Sequence, residues 1–253
     1  MLDARLRCVA KHVRPGSVLA DIGTDHARLP VYLVEQGICP KAIASDLRQG
    51  PADAARRTIR SAGLENRIEV RLGDGLTALT ADEADDIVIA GMGGETAAAI
   101  LDACRWIRDA RYHLVLQPMT RPEELRRYLY EAGFSIRREE IVGDGRHWYT
   151  VMDVVYTGER IVPDPVRCHV GQIAREETAY LGRVRDRLLK RAVGLVLAGD
   201  IAGREEALLL RRTAAGIDGY MKGKDAAGKS DPNRPRYEEN QPDSFARGEK
   251  SSR

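Results

Sequence analysis

Asp21-Ile22-Gly23-Thr24-Asp25-His26 closes an apolar run through Val18, Leu19 and Ala20 and leads into a helix-like segment. The pattern is that of a first strand and ligand loop in a doubly wound α/β domain, where ligands sit beyond the carboxyl ends of the strands. A glycine lets the backbone approach a ligand, and the helix beyond it offers free N–H donors. A dinucleotide fingerprint would read Gly-x-Gly-x-x-Gly, so that a pyrophosphate rests on the helix N-terminus. Here the second glycine position is Asp25 and the third is Arg28. A carboxylate at that point repels a pyrophosphate and suits a ligand carrying an ammonium group. Taken alone, the loop also admits a plainer reading, with Asp21 and Asp25 as turn residues and a helix cap.

Further groups follow the later strand candidates in order. Asp46 ends the second, where an acidic side chain can accept both hydroxyls of a ribose. Gly73-Asp74-Gly75 follows the third, and a carboxylate there can receive an adenine amino group. Gly91-Met92-Gly93-Gly94 follows the fourth, where backbone can come close to a flat ligand or target base. Each is by itself a common turn or loop. In succession at the ends of strands one to four, they point to a nucleoside-bearing cofactor.

The elements that must position these residues alternate regularly. Strand candidates are 17–23, 41–46, 67–72, 86–91 and 113–117, with helical stretches at about 28–36, 51–62, 94–108 and 121–132. A preceding helix sets Leu2, Leu6, Val9 and Val13 on one face before the break at Pro15-Gly16. The strands are continuous apolar runs, as expected for parallel strands buried on both faces. Residues 134–142 and 147–156 flank Gly143-Asp144-Gly145 and read as a β-hairpin. Five βα units and a hairpin predict a doubly wound, Rossmann-like α/β sheet of seven strands with one antiparallel strand at an edge. Methyltransferases that use S-adenosylmethionine are built on this plan.

Composition narrows the function classes. Hydrophobic residues at 43% suffice for a core, and 31% charged residues give a soluble surface. The four cysteines (Cys8, Cys39, Cys104, Cys168) are scattered, which gives no zinc ribbon and no disulfide framework, so no metal is expected. No apolar run approaches a membrane span and no leader begins the chain, which therefore reads as cytoplasmic. The oligomeric state stays open, with a monomer favoured. Pro163 and Pro165 mark a boundary. Beyond it, helices at about 171–197 and 201–218 suggest a hairpin or short coiled coil, with Leu181, Val184, Leu188 and Val196 as a partial apolar seam. The net charge is only +2, yet the second part of the chain is the basic one, and Arg183, Arg187 and Arg191 fall four apart on one face. Such a stripe is either a solvated face or a grip on a polyanion. The expected organisation is a catalytic domain over 1–158, a helical domain over 159–219 and a disordered Gly/Pro/Ser-rich tail over 220–253.

Three motifs make the resemblance specific: Asp-Ile-Gly-Thr-Asp-His-Ala-x-Leu-Pro (21–30), Ala-Gly-Met-Gly-Gly (90–94) and Leu-Gln-Pro-Met (116–119). Over about residues 1–217 the chain resembles the bacterial tRNA (adenine-22-N1)-methyltransferase family, in which a seven-strand methyltransferase domain precedes a coiled-coil-like one. The resemblance implies methyl transfer from S-adenosylmethionine to N1 of an adenine in the D-arm of tRNA. It also implies that Asp21, Gly23, Thr24 and Asp25 contact the methionine part, Asp46 the ribose, and Asp74 with Gly75 the adenine ring. Met92, Gly93 and Gly94 would shape the gap between methyl and target base, with Gly91 and Gly93 also among the cofactor-binding residues. His26 could bond the base, orient Asp25, or be a helix-start residue. Gln117 and Pro118 could line the base pocket or simply satisfy a strand end. The alternatives are a methyltransferase of the same fold acting on another RNA, a protein or a small molecule, and a non-catalytic RNA-binding relative.

Overall fold

The computed structural model describes residues 2–223 except 146 and 199. Helix α1 (Ala4–His12) precedes the alternating set β1 (Leu19–Ile22), α2 (Arg28–Glu35), β2 (Ala42–Asp46), α3 (Gln49–Ser61) and β3 (Ile68–Leu72). After a short 3-10 turn come β4 (Asp86–Gly93), α4 (Gly94–Asp102), β5 (His113–Thr120), α5 (Pro122–Ala132), β6 (Phe134–Asp144) and β7 (His147–Tyr156). The seven strands lie in the order β3-β2-β1-β4-β5-β7-β6. The first five are parallel, and β7 runs antiparallel between β5 and β6.

Both faces of the sheet are covered, which explains the unbroken apolar runs. Along β4, Ile87 and Ile89 enter one core with Leu101, Leu125 and Leu129, while Val88 enters the other with Val9, Leu33 and Ile59. Leu114, Val115 and Leu116 of β5 divide the same way. Successive side chains of a strand point to opposite faces, so two covered faces demand apolar residues at every position.

A polar brace ties α1 to the sheet near the amino ends of β4 and β5. His12 sits between Asp153 (Nδ1 to Oδ1, 2.7 Å) and Glu140 (Nε2 to Oε2, 3.3 Å). His113 bonds Asp86 (3.1 Å) and approaches Asp153 (3.5 Å). Burial alone would push His113 down, but its bonds to Asp153 and Asp86 outweigh it and raise the imidazole to about 9. Cys8, His12 and Glu140 also bring donor atoms within 4.8 Å of one another, a spacing a metal ion could bridge, although Asp153 and Arg138 already bond two of them.

The sheet is followed by α6 (Pro165–Val170), α7 (Thr178–Ala198) and α8 (Ile201–Met221). Helix α6 was not separable from the boundary prolines, although Asp164 caps it by accepting from the Arg167 N–H (3.0 Å) with Pro165 in its first turn. The hairpin of α7 and α8 has its own core, in which Leu181, Val184 and Leu188 are buried as expected. Val196 instead is 41% exposed, and Ala192 closes the seam one turn earlier. The helix expected over 94–108 stops at Asp102, because the chain then turns to bury Ile107 and to lay Trp106 against Tyr112. Helix α8 runs to Met221, past the expected start of the tail, and residues 224–253 lie outside the described residues. Among the described residues no helix is long and apolar enough to cross a membrane.

One buried ion pair joins the two parts. Arg126 of α5 is fully buried and donates to Glu139 Oε1 of β6 (2.6 and 2.9 Å) and to the carbonyls of Cys168 and His169 in α6 (2.8 and 3.0 Å). The other Glu139 oxygen accepts from the Gln172 N–H (2.8 Å). Arg126→Ala leaves a buried carboxylate and two carbonyls without their donor, so it should destabilise the chain by about 3–5 kcal/mol. The double variant R126M/E139L should lose much less. Denaturant midpoints of the two variants check this, and equal losses would mean that unpaired charge is not the cause.

Candidate functional site

The carboxyl ends of β1 to β4 open onto a cavity of about 630 Å³. Three of its acidic residues reach it from different strand ends: Asp21 from β1, Asp46 from β2, and Asp74 from the turn after β3. The loop after β1 is pinned to β2, because the Gly23 and Thr24 N–H groups both donate to the Ser45 carbonyl (2.8 Å each). Asp46 Oδ1 accepts from the Arg48 N–H (2.8 Å), which leaves its second oxygen for a ligand. Asp25 and His26 lie on the exposed rim, 3.4 Å apart.

Asp21 is the electrostatic centre of this cavity. Its burial raises the carboxyl to about 6, against the opposing pull of Thr24 and Arg5 and with a further push from Asp46. A buried carboxylate at that poise gains from a cationic group brought within reach.

Gly23, Thr24, Gly75, Gly91 and Met92 line the cavity along with the acidic residues, as their places at the strand ends implied. Gly93 does not; it caps α4 and faces Thr120, where an added Cβ would come within 3.2 Å of the hydroxyl. Gly94 meets an even closer neighbour, since a Cβ there would lie 2.2 Å from the Arg121 carbonyl. These two glycines let β4–α4 pack against β5–α5. Gln117 also stays out of the cavity. It is buried, its Oε1 accepts from Arg5 (2.7 Å) and from the Gly91 N–H (3.1 Å), and its amide donates to the Pro118 carbonyl (2.9 Å). The strand-end role is the one this geometry displays. Of the arginine stripe, Arg183 and Arg187 line a separate groove, whereas Arg191 is paired with Glu206 of α8.

Arg5 is the lining residue that the sequence did not reveal. Helix α1 carries it over the cavity from 112 positions before its partner Gln117, and nothing in a single arginine on a short amphipathic helix signals that meeting. Leu47 and Thr96 also line the wall without a sequence signal of their own, and Met119 of the Leu-Gln-Pro-Met motif joins them.

The donor set fits a nucleoside with a cationic end: three carboxylates from successive strand ends, backbone close to the cavity at Gly23 and Gly91, and apolar contacts from Met92 and Ile100. Fold and cavity together define an α/β protein of Rossmann-like topology with its ligand crevice at the carboxyl edge of the sheet. Residues 2–152 match the family model for a methyltransferase domain, and the chain belongs to that family. It is 39% identical over 159 residues to the tRNA (adenine(22)-N(1))-methyltransferase of Bacillus subtilis, a match spanning 63% of this chain and 66% of that relative, just under two thirds. The crystal structure of the B. subtilis m1A22 tRNA methyltransferase TrmK is similar with a TM-score of 0.74 at 29% identity, covering 89% of this chain and 99% of that one. Sp1610 of Streptococcus pneumoniae in complex with S-adenosyl-L-methionine gives 0.73 at 31% identity, covering 87% and 100%. Coverage of that extent includes the appended helices as well as the sheet.

Gly23 carries φ of +78°, and a Cβ there would fall 2.0 Å from the Met92 methyl. Gly23→Ala should therefore destabilise the chain by about 1–2 kcal/mol through backbone strain alone, and displace Met92 from the cavity wall. Denaturant unfolding measures the first effect; an unchanged midpoint would show that the loop relaxes freely.

Proposed function

We infer that this chain transfers a methyl group from S-adenosylmethionine to N1 of adenine 22 in tRNA. The observation that carries the reading is the ring of carboxylates at successive strand ends, in a chain whose relatives include the B. subtilis tRNA (adenine(22)-N(1))-methyltransferase. Asp21, with Gly23, Thr24 and Asp25, holds the methionine end; Asp46 takes the ribose hydroxyls; Asp74 and Gly75 take the adenine. Bound S-adenosylmethionine supplies an electrophilic methyl group on a sulfonium.

The chain's own task is positioning. Adenine N1 carries a lone pair in the ring plane and no proton, so no general base and no metal ion is needed to expose it. The positive charge lost at sulfur reappears on the methylated ring, so the carboxylates of the cavity face a cation before and after transfer. Met92 and Gly91, at the end of β4, bound the space where base and methyl must meet in line. His26 stands at the rim beside Asp25, where it can bond the incoming base. We read residues 1–158 as the catalytic unit and 159–219 as the unit that grips tRNA through Arg183 and Arg187, with Arg191 contributing less because Glu206 holds it. The enzyme works in this reading as a cytoplasmic monomer. Incubating the full chain with a tRNA transcript bearing adenine or guanine at position 22 tests it. Methylation should occur on the adenine form alone, and equal methylation of both would overturn the assignment.

Two residue tests follow from the same geometry. The ammonium of the cofactor needs Asp21 ionised, and its carboxyl titrates at about 6 in the free protein. Affinity should thus hold above pH 7 and fall towards about tenfold per pH unit below 6. Asp21→Asn should bind weakly at every pH and lose this dependence, as calorimetry with S-adenosylhomocysteine from pH 5 to 8 would show. His26→Ala should lower turnover by about 10- to 100-fold while leaving cofactor affinity near normal, since it removes a contact to the base and none to the cofactor. Unchanged kinetics would return His26 to a helix-start role.

A further inference from the structure

A second groove, of about 350 Å³, runs between the end of β5 (Pro118, Met119), the start of β7 (Trp148, Tyr149) and α7 (Arg183, Arg187). Met119 lines both this groove and the cofactor cavity, so the two share a wall. Its volume falls within the range of small-ligand sites, about 300–1,000 Å³. Trp148 is 37% exposed, and the Arg183 guanidinium lies over its ring at 5.6 Å. Neighbouring arginines of the same helix are spoken for: Arg185 bonds Asp218 and Asp186, and Arg191 bonds Glu206. Among the described residues, no carboxylate pairs with Arg183 or Arg187.

An exposed indole beside two guanidinium groups without carboxylate partners offers a π face and an anion site at one spot. Those are the two parts of a nucleotide. An acidic peptide would engage the arginines but leave the ring unused, and it would have no reason to lie against the reaction cavity. We propose that Trp148 is a stacking platform for an unpaired base next to the target adenine, with Arg183 and Arg187 receiving that nucleotide's phosphate. The proposal rests on the reading of the chain as a tRNA methyltransferase. Trp148 is a positioning residue in this account, acting on the substrate strand and not on the reacting atoms. Stacking of the neighbour would hold the strand open and keep the target base extruded towards Met92.

The test uses the full chain. Trp148→Ala should weaken binding of fluorescently labelled tRNA by about 5- to 100-fold, and Trp148→Phe should recover most of it. The Michaelis constant for tRNA should rise with affinity lost, and turnover should fall as the target base is extruded less often, while S-adenosylmethionine affinity stays within about twofold. A second measurement does not depend on the alanine variant folding. The chain has two tryptophans, so Trp106→Phe leaves Trp148 as the sole emitter, and its fluorescence should be quenched by saturating tRNA. Normal tRNA affinity and Michaelis constant in a folded Trp148→Ala protein, or unaltered Trp148 emission, would overturn the proposal. Either result leaves the activity of the unaltered chain intact; failure of that chain to methylate tRNA at all would instead refute the parent reading.

Discussion

β1 lies between β2, where the sheet continues in one direction, and β4, where it sets off in the other. The chain leaving β1 turns to α2 on one face, and the chain leaving β4 turns to α4 on the opposite face. The two connections part and leave a crevice above the carboxyl ends, the only place in such a sheet where strand ends are not roofed by their own loops. The carboxylates Asp21, Asp46 and Asp74 depend on this reversal. Asp21 is buried yet lines the cavity because its strand is an interior one at the reversal, and Asp46 and Asp74 follow because the crossovers deliver β2 beside β1 and β3 beside β2 in register. A carboxylate placed there on an edge strand would be solvated and close to its ordinary titration.

Holding the crevice in shape falls to polar contacts that span the sheet. Buried Gln117 joins the end of β5, the Gly91 backbone of β4 and Arg5 of α1 in one cluster. At the other end of α1, the His12–Asp153–His113–Asp86 chain fastens the helix near the amino ends of the same strands. Helix α1 is thus fixed at both ends, and Arg5 keeps its distance from Asp21. Burying so many charges is costly unless each is met by a partner, and the two clusters satisfy that demand. The Arg126–Glu139 pair does the same at the joint with the appended helices, where it ties α6 to α5 and β6.

Most of the sheet was legible because parallel strands covered on both faces write themselves as apolar runs, and a run ending in Asp or Gly marks its ligand edge. Asp21, Asp46 and Asp74 could be picked out for that reason. What stayed hidden is what depends on distant meetings. Arg5 and Gln117 are 112 positions apart, and no local pattern announces their bond. The spacing of Gly93 and Gly94 suits room for a ligand, whereas the nearest claim on that room is the Thr120 hydroxyl and the Thr120–Arg121 backbone at the end of the neighbouring strand. Composition cannot tell a glycine that admits a ligand from one that admits a neighbour. The arginine stripe has the same ambiguity: spacing put three on one face, but only the partner helix decides that Glu206 takes Arg191 and leaves Arg183 and Arg187 facing the groove.

The distribution of charge suits the reaction assigned to the chain. A nucleophile that already carries its lone pair needs no base, and a cation that moves from sulfur to ring nitrogen needs an environment that is negative throughout and does not reorganise. Carboxylates anchored on strand ends provide that, since rigid elements hold dipoles and charges in place during the step. The same negative cavity would repel the phosphates of an RNA strand. Attraction must come from somewhere else, close enough to guide the strand but far enough not to neutralise Asp21. In the proposed reading Arg183 and Arg187 of α7 meet both conditions, because they line a groove that shares only Met119 with the cofactor cavity. In that reading the appended helices answer to the chemistry: a site made acidic for a sulfonium cofactor is paired with a separate basic surface that receives a polyanion.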